Sequence, residues 1–172
     1  HEVVTDRPIV LFASRLLRDK GISEFIDAAT ILKTAGCSAR FVIAGDTDPG
    51  NPTSTSHKLV EQWVADGLIE WWGHRLDMPS VFSQVNIVCL PSYREGLPKV
   101  LLEAAACGRA IVTTDVPGCS DVVVEGVNGL RVPVRNSVRL ADAIRTLVDS
   151  AVLRNKMGLA GRKYVEANFD VD

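Results

Sequence analysis

What this chain of 172 residues lacks narrows its possible roles first. No stretch reaches the ~18 to 20 consecutive apolar residues of a membrane-spanning helix, and nothing at the start resembles a signal peptide. The chain is therefore expected to be soluble, with no membrane contact of its own. Neither sign of charge is in excess: 19 basic and 21 acidic residues give a formal net charge of −2. That balance excludes a global attraction to nucleic acid or to an anionic surface, so any anion site has to be local. The four cysteines, Cys37, Cys89, Cys107 and Cys119, form no CxxC pair and have no histidine at ligand spacing, so zinc is not expected. Cys89 lies in an apolar run and Cys107 in an alanine-rich segment. Both read as small buried hydrophobes, which fits a reducing, cytoplasmic setting. Also missing are the glycine pattern and the Lys-Ser/Thr pair of a P-loop. The chain begins with His1 rather than Met, and a segment upstream is expected.

What is present is a hydrophobic content of 47% with 23% charged residues, the balance of one folded domain with a core of its own. Short apolar β-branched runs at 9–14, 39–45, 69–73, 86–90, 110–114 and 129–132 predict strands. Most are apolar throughout, as strands covered on both faces must be. Between them, amphipathic segments predict helices at 22–34, 55–66, 78–84, 97–107, 119–124, 137–149 and 152–167. Ile22, Phe25, Ile26, Ala29 and Leu32 share one helical face, as do Leu140, Ile144, Leu147 and Val148. Six strands alternating with helices imply a doubly wound parallel six-stranded sheet with helices on both faces. Its ligand then lies outside the carboxyl ends of the strands. The turn-rich stretch 48–56 leaves the second strand at that end. It reads as a mobile loop ending in an N-cap, either an ordinary surface loop or a cover for substrate.

Two strand-to-helix loops carry chemistry. The first, Ser14 to Gly21, sets Arg15, Arg18 and Lys20 between a strand end and a helix start, where free N–H groups already favour an anion. Arg15 can fork onto phosphate oxygens and Lys20 can add a point charge. Solvated loop charges, one of them paired with Asp19, are the alternative. The second loop runs PSYREGLPKVLLEA. A helix starting near Gly96 or Leu97 would hold Pro98 in its first turn, with Glu95 at its mouth and Glu103 two turns on. Carboxylates so spaced suit the two ends of an elongated ligand with phosphates between them, such as a nucleoside diphosphate sugar. Otherwise Glu95 is a helix-dipole partner and Glu103 a salt-bridging residue. Set among Val100, Leu101, Leu102 and Ala104–Ala106, however, the Glu103 carboxylate needs a partner.

The Glu95-x7-Glu103 arrangement within PSYREGLPKVLLEAAACGRAIVTT resembles the signature of the retaining group 1 (glycogen-synthase-like) glycosyltransferases of the GT-B fold. The upstream ASRLLRDKG is similar to that family's phosphate-binding loop, and PGCSDVVVEGVNGLRVP to its next motif. The likeness runs from about Pro8 to Phe169. It implies that residues 1–172 are one Rossmann-like nucleotide-sugar-binding domain, the C-terminal half of a GT-B fold, with an N-terminal acceptor domain elsewhere in a longer parent. It further implies that Arg15 and Lys20 bind the donor diphosphate, that Glu103 holds the ribose, and that Glu95 with the amides of Gly96 and Leu97 faces the transferred sugar. Arg15, Lys20 and Glu95 would be the catalytic set, and Arg75, in the turn Gly73-His74-Arg75, would lie near the base. The resemblance implies no metal or other cofactor, and Asp46 and Asp48 read as turn formers. Its partners would be the nucleotide diphosphate sugar, best guessed as UDP-linked, and a sugar or lipid-linked acceptor held by the other domain. Location would be cytoplasmic, at the inner face of the membrane through that domain. A sugar-nucleotide-binding module without transfer activity shares all these features. A flavodoxin-like or signalling domain lacks support, since no acidic phosphorylation pocket is evident. His74 reads as a polar turn residue. At least two of Trp63, Trp71 and Trp72 read as packing residues, and Arg131, Arg135 and Arg139 as surface charges.

Overall fold

A computed structural model describes residues 2–169, so His1 and positions 170–172 of the expected domain lie outside the described residues. Six strands form one wholly parallel sheet: β1 (Ile9–Ala13), β2 (Arg40–Ala44), β3 (Glu70–Gly73), β4 (Ile87–Leu90), β5 (Ala110–Thr114) and β6 (Gly129–Val132). Their spatial order is β3-β2-β1-β4-β5-β6, the doubly wound Rossmann-like order. The helices are α1 (Ile22–Thr34), α2 (His57–Ala65), α3 (Met78–Phe82), α4 (Lys99–Ala106), α5 (Pro117–Val122), α6 (Ser137–Val148) and α7 (Ala151–Asn168). A short 3-10 turn, Arg18–Lys20, precedes α1. Every expected strand forms, and every expected helix forms, the first at the expected 22–34 and the others with one or both ends shifted.

The alternation of side chains along each central strand divides the core in two. On one face Val10, Phe12, Phe41, Ile43, Ile87 and Cys89 meet Phe25, Ala29 and Leu32 of α1 and Leu140, Ile144 and Leu147 of α6. On the other, Leu11, Val42, Val88, Leu90 and Ile111 meet Phe82 of α3, Leu101 and Ala105 of α4 and Val122 of α5. The helix α7 touches both clusters, through Met157 on the first face and Val165 on the second. Phe25 sits at the centre of the first face, 5.4 Å from Phe12 and 6.0 Å from Phe41 between ring centroids. The three tryptophans all pack on the core, Trp63 and Trp71 on one face and Trp72 on the other. Cys89 and Cys119 are buried and all four cysteines are free thiols; burial alone pushes the Cys89 thiol far above its ordinary range.

Four helix starts differ from expectation, those of α2, α4, α5 and α7, and proline explains the α4 and α5 shifts. The α4 helix begins at Lys99, with Pro98 as an extended N-cap (ψ 104°) rather than a first-turn residue. A residue before proline is pushed out of the helical region, so Leu97 cannot open the helix. In contrast, α5 begins two residues earlier than expected, because Pro117 takes its first position, where a missing N–H does no harm. The stretch 48–56 does end in an N-cap, with Ser56 Oγ accepting from Leu59 N at 3.2 Å. It is pinned, however, rather than hanging free. Arg18 N donates to Thr53 O at 3.0 Å, Thr55 N to Leu16 O at 2.8 Å, and Leu17 pairs with Ser54 as an isolated bridge.

Truncating Phe25 removes a ring from a site with no solvent to fill it. The Phe25→Ala variant is expected to lose about 3–5 kcal/mol of stability, measured by urea denaturation; a loss below about 1 kcal/mol would show that this face is not the packed core described.

Candidate functional site

The strand order reverses between β1 and β4, since their onward connections diverge to opposite sides of the sheet. Beyond the carboxyl ends of these two strands lies the crevice where open α/β sheets take ligands. Its walls are the loop from Ser14 to Gly21 and the loop from Pro91 to Pro98. Backbone contact fixes their spacing. Gly21 takes a left-handed φ of 79°, and a Cβ built there would stand 2.1 Å from the Pro91 carbonyl oxygen. A similar contact secures the far side: a Cβ on Gly118 would lie 1.7 Å from the Gly96 oxygen. From below, buried Thr114 donates to the Ser92 carbonyl at 2.5 Å, and Tyr93 N donates to the Asp19 carbonyl at 2.8 Å. Local sequence therefore places both loops against a rigid sheet end.

Across this junction Lys20 Nζ donates to Glu95 Oε1 at 2.8 Å, and Ser92 Oγ donates to the same oxygen at 2.7 Å. Their side chains are 22% and 11% exposed, so the pair is sheltered enough to be a strong charge-assisted contact. The sequence points to each residue separately, and the structure joins them. Lys20 keeps two further N–H donors. Glu95 keeps Oε2, which has no partner among the described residues.

A cavity of about 410 Å³ opens at the same end of the sheet, lined by Ser14, Arg15, Asp46, His74, Arg75, Leu76, Met78, Lys99, Val100 and Glu103, while Lys20, Glu95, Gly96 and Leu97 lie outside its lining. Three predicted residues, Arg15, Arg75 and Glu103, thus share one concave site. Its volume is within the roughly 300–1,000 Å³ of small-molecule pockets, and it combines apolar walls with a few polar groups. Arg15 is 63% exposed and its Nη1 pairs with Asp48 Oδ2 at 3.1 Å. Asp48 is therefore an ion-pair partner and not merely a turn former, whereas Asp46 Oδ1 does cap the turn by accepting from Thr47 N at 2.8 Å. Asp19, the partner the sequence offers for a loop cation, pairs with none among the described residues; its Oδ1 is buried without a hydrogen bond.

Glu103 is also differently placed than expected. It is not sunk among apolar neighbours, being 35% exposed and facing the cavity, and Lys99 Nζ lies 3.6 Å from its Oε1. With α4 starting at Lys99, Glu103 is one turn into the helix, about 6 Å along the axis rather than two turns. Lys before Glu at this spacing is the weaker orientation, and Lys99 is 87% exposed. The Glu103 carboxylate is therefore easily shared with a ligand. Gly96 and Leu97 are exposed, and no described backbone carbonyl accepts from their amides. Lys99 and the apolar wall of Leu76, Met78 and Val100 are lining residues that sequence reasoning missed. The cation in helix α4's first residue was a readable signal for the former.

With this geometry in place, comparison with known proteins is decisive. Residues 7–150 match the family described as glycosyl transferases, group 1. The chain belongs to that family. It is 36% identical over 151 residues to an N,N'-diacetylbacillosaminyl-diphospho-undecaprenol alpha-1,3-N-acetylgalactosaminyltransferase of Campylobacter jejuni, covering 88% of this chain and 38% of that relative. Among solved structures, HepE of Anabaena in complex with UDP and glucose superposes with a TM-score of 0.83 at 26% identity, covering 96% of this chain and 45% of that one. The C-terminal domain of the group 1 family protein LpcC from Francisella tularensis gives a TM-score of 0.82 at 26% identity, with coverage of 99% and 89%. The chain thus spans less than half the length of the full-length relatives and matches a C-terminal domain almost end to end. No described helix is long and apolar enough to cross a membrane.

In a double-mutant cycle of Lys20→Met and Glu95→Gln, the coupling is expected to be about 1.5–3 kcal/mol, as for hydrogen bonds to charged groups. The exposed Arg15–Asp48 pair should couple by less than about 1 kcal/mol. Equal coupling in the two cycles, read from urea denaturation, would contradict the sheltered pairing of Lys20 with Glu95.

Proposed function

We propose that this chain is the donor-binding domain of a retaining glycosyltransferase that moves a hexosyl group from a nucleotide diphosphate sugar, UDP-linked, to an acceptor hydroxyl. The observation that carries the reading is the convergence of Arg15, Arg75 and Glu103 on one cavity at the carboxyl ends of the strands, with Lys20 and Glu95 joined across the two loops at the same end of the sheet. Arg15 and the spare donors of Lys20 hold the diphosphate, supplemented by the amides of Gly96 and Leu97. Glu103 accepts from the ribose hydroxyls, and Arg75 lies toward the base against Leu76, Met78 and Val100. Oε2 of Glu95 accepts from a hydroxyl of the sugar, while Lys20 and Ser92 fix its other oxygen.

In the transfer, the bond from the anomeric carbon to the phosphate oxygen breaks with its electron pair going to the nucleotide. The new bond forms from the acceptor oxygen on the same face, and the acceptor proton passes to the departing phosphate oxygen. Negative charge grows on the diphosphate as that bond lengthens. Arg15 and Lys20, already in position, stabilise it without reorganisation. Water and the acceptor would be controlled by an N-terminal domain of the parent, which supplies the other wall of the cleft. The 172-residue chain alone should then bind nucleotide and turn over little. The HepE complex with UDP and the Campylobacter relative's lipid diphosphate acceptor support UDP and a role in bacterial polysaccharide or lipopolysaccharide synthesis, which this reading sets on the cytoplasmic side of the membrane.

Calorimetric titration with UDP and uridine tests the assignment. Glu103→Ala is expected to weaken both ligands about tenfold or more, the loss of a hydrogen bond to a charged group. Arg15→Ala should weaken UDP and leave uridine unchanged. Unaltered UDP affinity in Glu103→Ala would overturn the ribose assignment.

A further inference from the structure

A second cavity of about 900 Å³ adjoins the first, and Arg15 lines both. Three more guanidinium groups surround it: Arg18 from the first loop, Arg94 from the second and Arg135 from the turn after β6. Four separate strand-end connections contribute to its wall, because Asn51 and Thr53 enter from the pinned 48–56 stretch. Only one carboxylate, Asp19, belongs to the lining. Among the described residues no carboxylate lies within ion-pair distance of Arg18, Arg94 or Arg135, whereas eight other lysines and arginines are so paired. The donor reading uses none of these three side chains.

Arg135 is held there against a backbone cost. It is the only non-glycine with positive φ among the described residues, at 53°, and strained backbone of this kind persists where the surroundings enforce it. Its guanidinium stacks 4.5 Å from the centroid of the Tyr93 ring, and the Tyr93 hydroxyl is anchored by donating to buried Glu24 at 2.6 Å. The anchored ring thus fixes the Arg135 guanidinium at the cavity wall. Asn51 Oδ1 accepts from both Thr53 N and Thr53 Oγ1, so its amide NH2, without a partner among the described residues, remains for a ligand. Donors therefore line the cavity on several sides, the Asp19 carboxylate being the one anionic group among them.

Several forked cations around one concave site match a compact group bearing two or more negative charges, and phosphate oxygens fit guanidinium forks in pairs. We propose that this cavity binds the phosphate or diphosphate ester of the second substrate, next to the donor diphosphate, so that Arg18, Arg94 and Arg135 select a phosphorylated acceptor. The role as acceptor anchor rests on the donor reading; the anion site itself does not. A lipid headgroup and a soluble sugar phosphate present the same chemistry.

The test titrates the 172-residue chain with inorganic pyrophosphate, alone and at saturating UDP, following arginine Nε–H signals by NMR. The expected result is one equivalent of pyrophosphate bound in the presence of UDP, with shifts at Arg18, Arg94 and Arg135. The double variant Arg18→Gln/Arg135→Gln should weaken that equivalent at least tenfold while changing UDP affinity less than twofold, which also shows that the variant is folded. Pyrophosphate that binds only by displacing UDP, or a second equivalent that the double variant leaves intact, would overturn the proposal. If UDP fails to bind at all, the donor reading falls, and the shifts in the UDP-free titration still decide the anion site. Phosphatidylcholine vesicles carrying a polyprenyl diphosphate, and separately glucose 1-phosphate as a competitor of pyrophosphate, identify the source. Capture that depends on Arg18 and Arg135 supports a lipid ester, and competition without capture supports a soluble one.

Discussion

The close approach of two backbones, at Gly21 and the Pro91 carbonyl, is the constraint on which the site depends. With any side chain at position 21 the first loop would have to move away from the second, since the space for a Cβ is already filled. The contact brings Lys20 within 2.8 Å of Glu95 and lets Tyr93 N reach the Asp19 carbonyl. These contacts join the two loops at the switch point into one unit. The sheet beneath supplies the rigidity: β1 and β4 are buried along their full length, and Thr114 of the next strand holds the Ser92 carbonyl. A site built this way is organised before any ligand arrives, as stabilising developing charge requires.

The electrostatics follow the same economy. With a net charge of −2, the chain gathers anions only by local arrangement, and its cations are graded by how firmly they are held. Lys20 is locked in a sheltered pair, Arg15 is loosely paired at the surface, and Arg18 and Arg94 are unpaired among the described residues. A diphosphate entering between the loops can therefore take Arg15 from Asp48 at little cost while Lys20 continues to position Glu95. Such grading separates a residue that orients from one that exchanges partners with the ligand.

Much of this was legible from sequence because the central strands are uniformly apolar and the helices between them periodic. Runs such as Ile9–Ala13 and Ala110–Thr114 have no other stable use than a doubly covered sheet. Arg15, Lys20, Glu95 and Glu103 were also legible, as charges at strand-to-helix loops where the fold class puts its ligands. The remainder depended on contacts between segments far apart in the chain. Lys20 and Glu95 are 75 residues apart, so no local spacing could announce their pairing. Arg135 reads as a surface charge and is exposed, but its left-handed backbone and its contact with the Tyr93 ring are not visible in its own neighbourhood. The starts of α4 and α5 turned on which side of the cap each proline falls, Pro98 as the N-cap and Pro117 in the first helical position. The Asp48 pairing, likewise, needs the 48–56 stretch to fold back over the first loop.

On the reading we propose, the two cavities would divide a bisubstrate reaction along the sheet, the nucleotide over β1, β2 and β3 and the phosphorylated acceptor toward β4 and β6, with Arg15 between them. The most direct test of the central assignment is backbone amide NMR of the chain during titration with UDP. The largest shifts should fall in residues 14–21, 73–76 and 94–103, on the carboxyl-end side of the sheet. Shifts concentrated instead at Arg7, Lys33, Arg40 and Trp72, which line a cavity at the opposite strand ends, would contradict a donor site at the switch point.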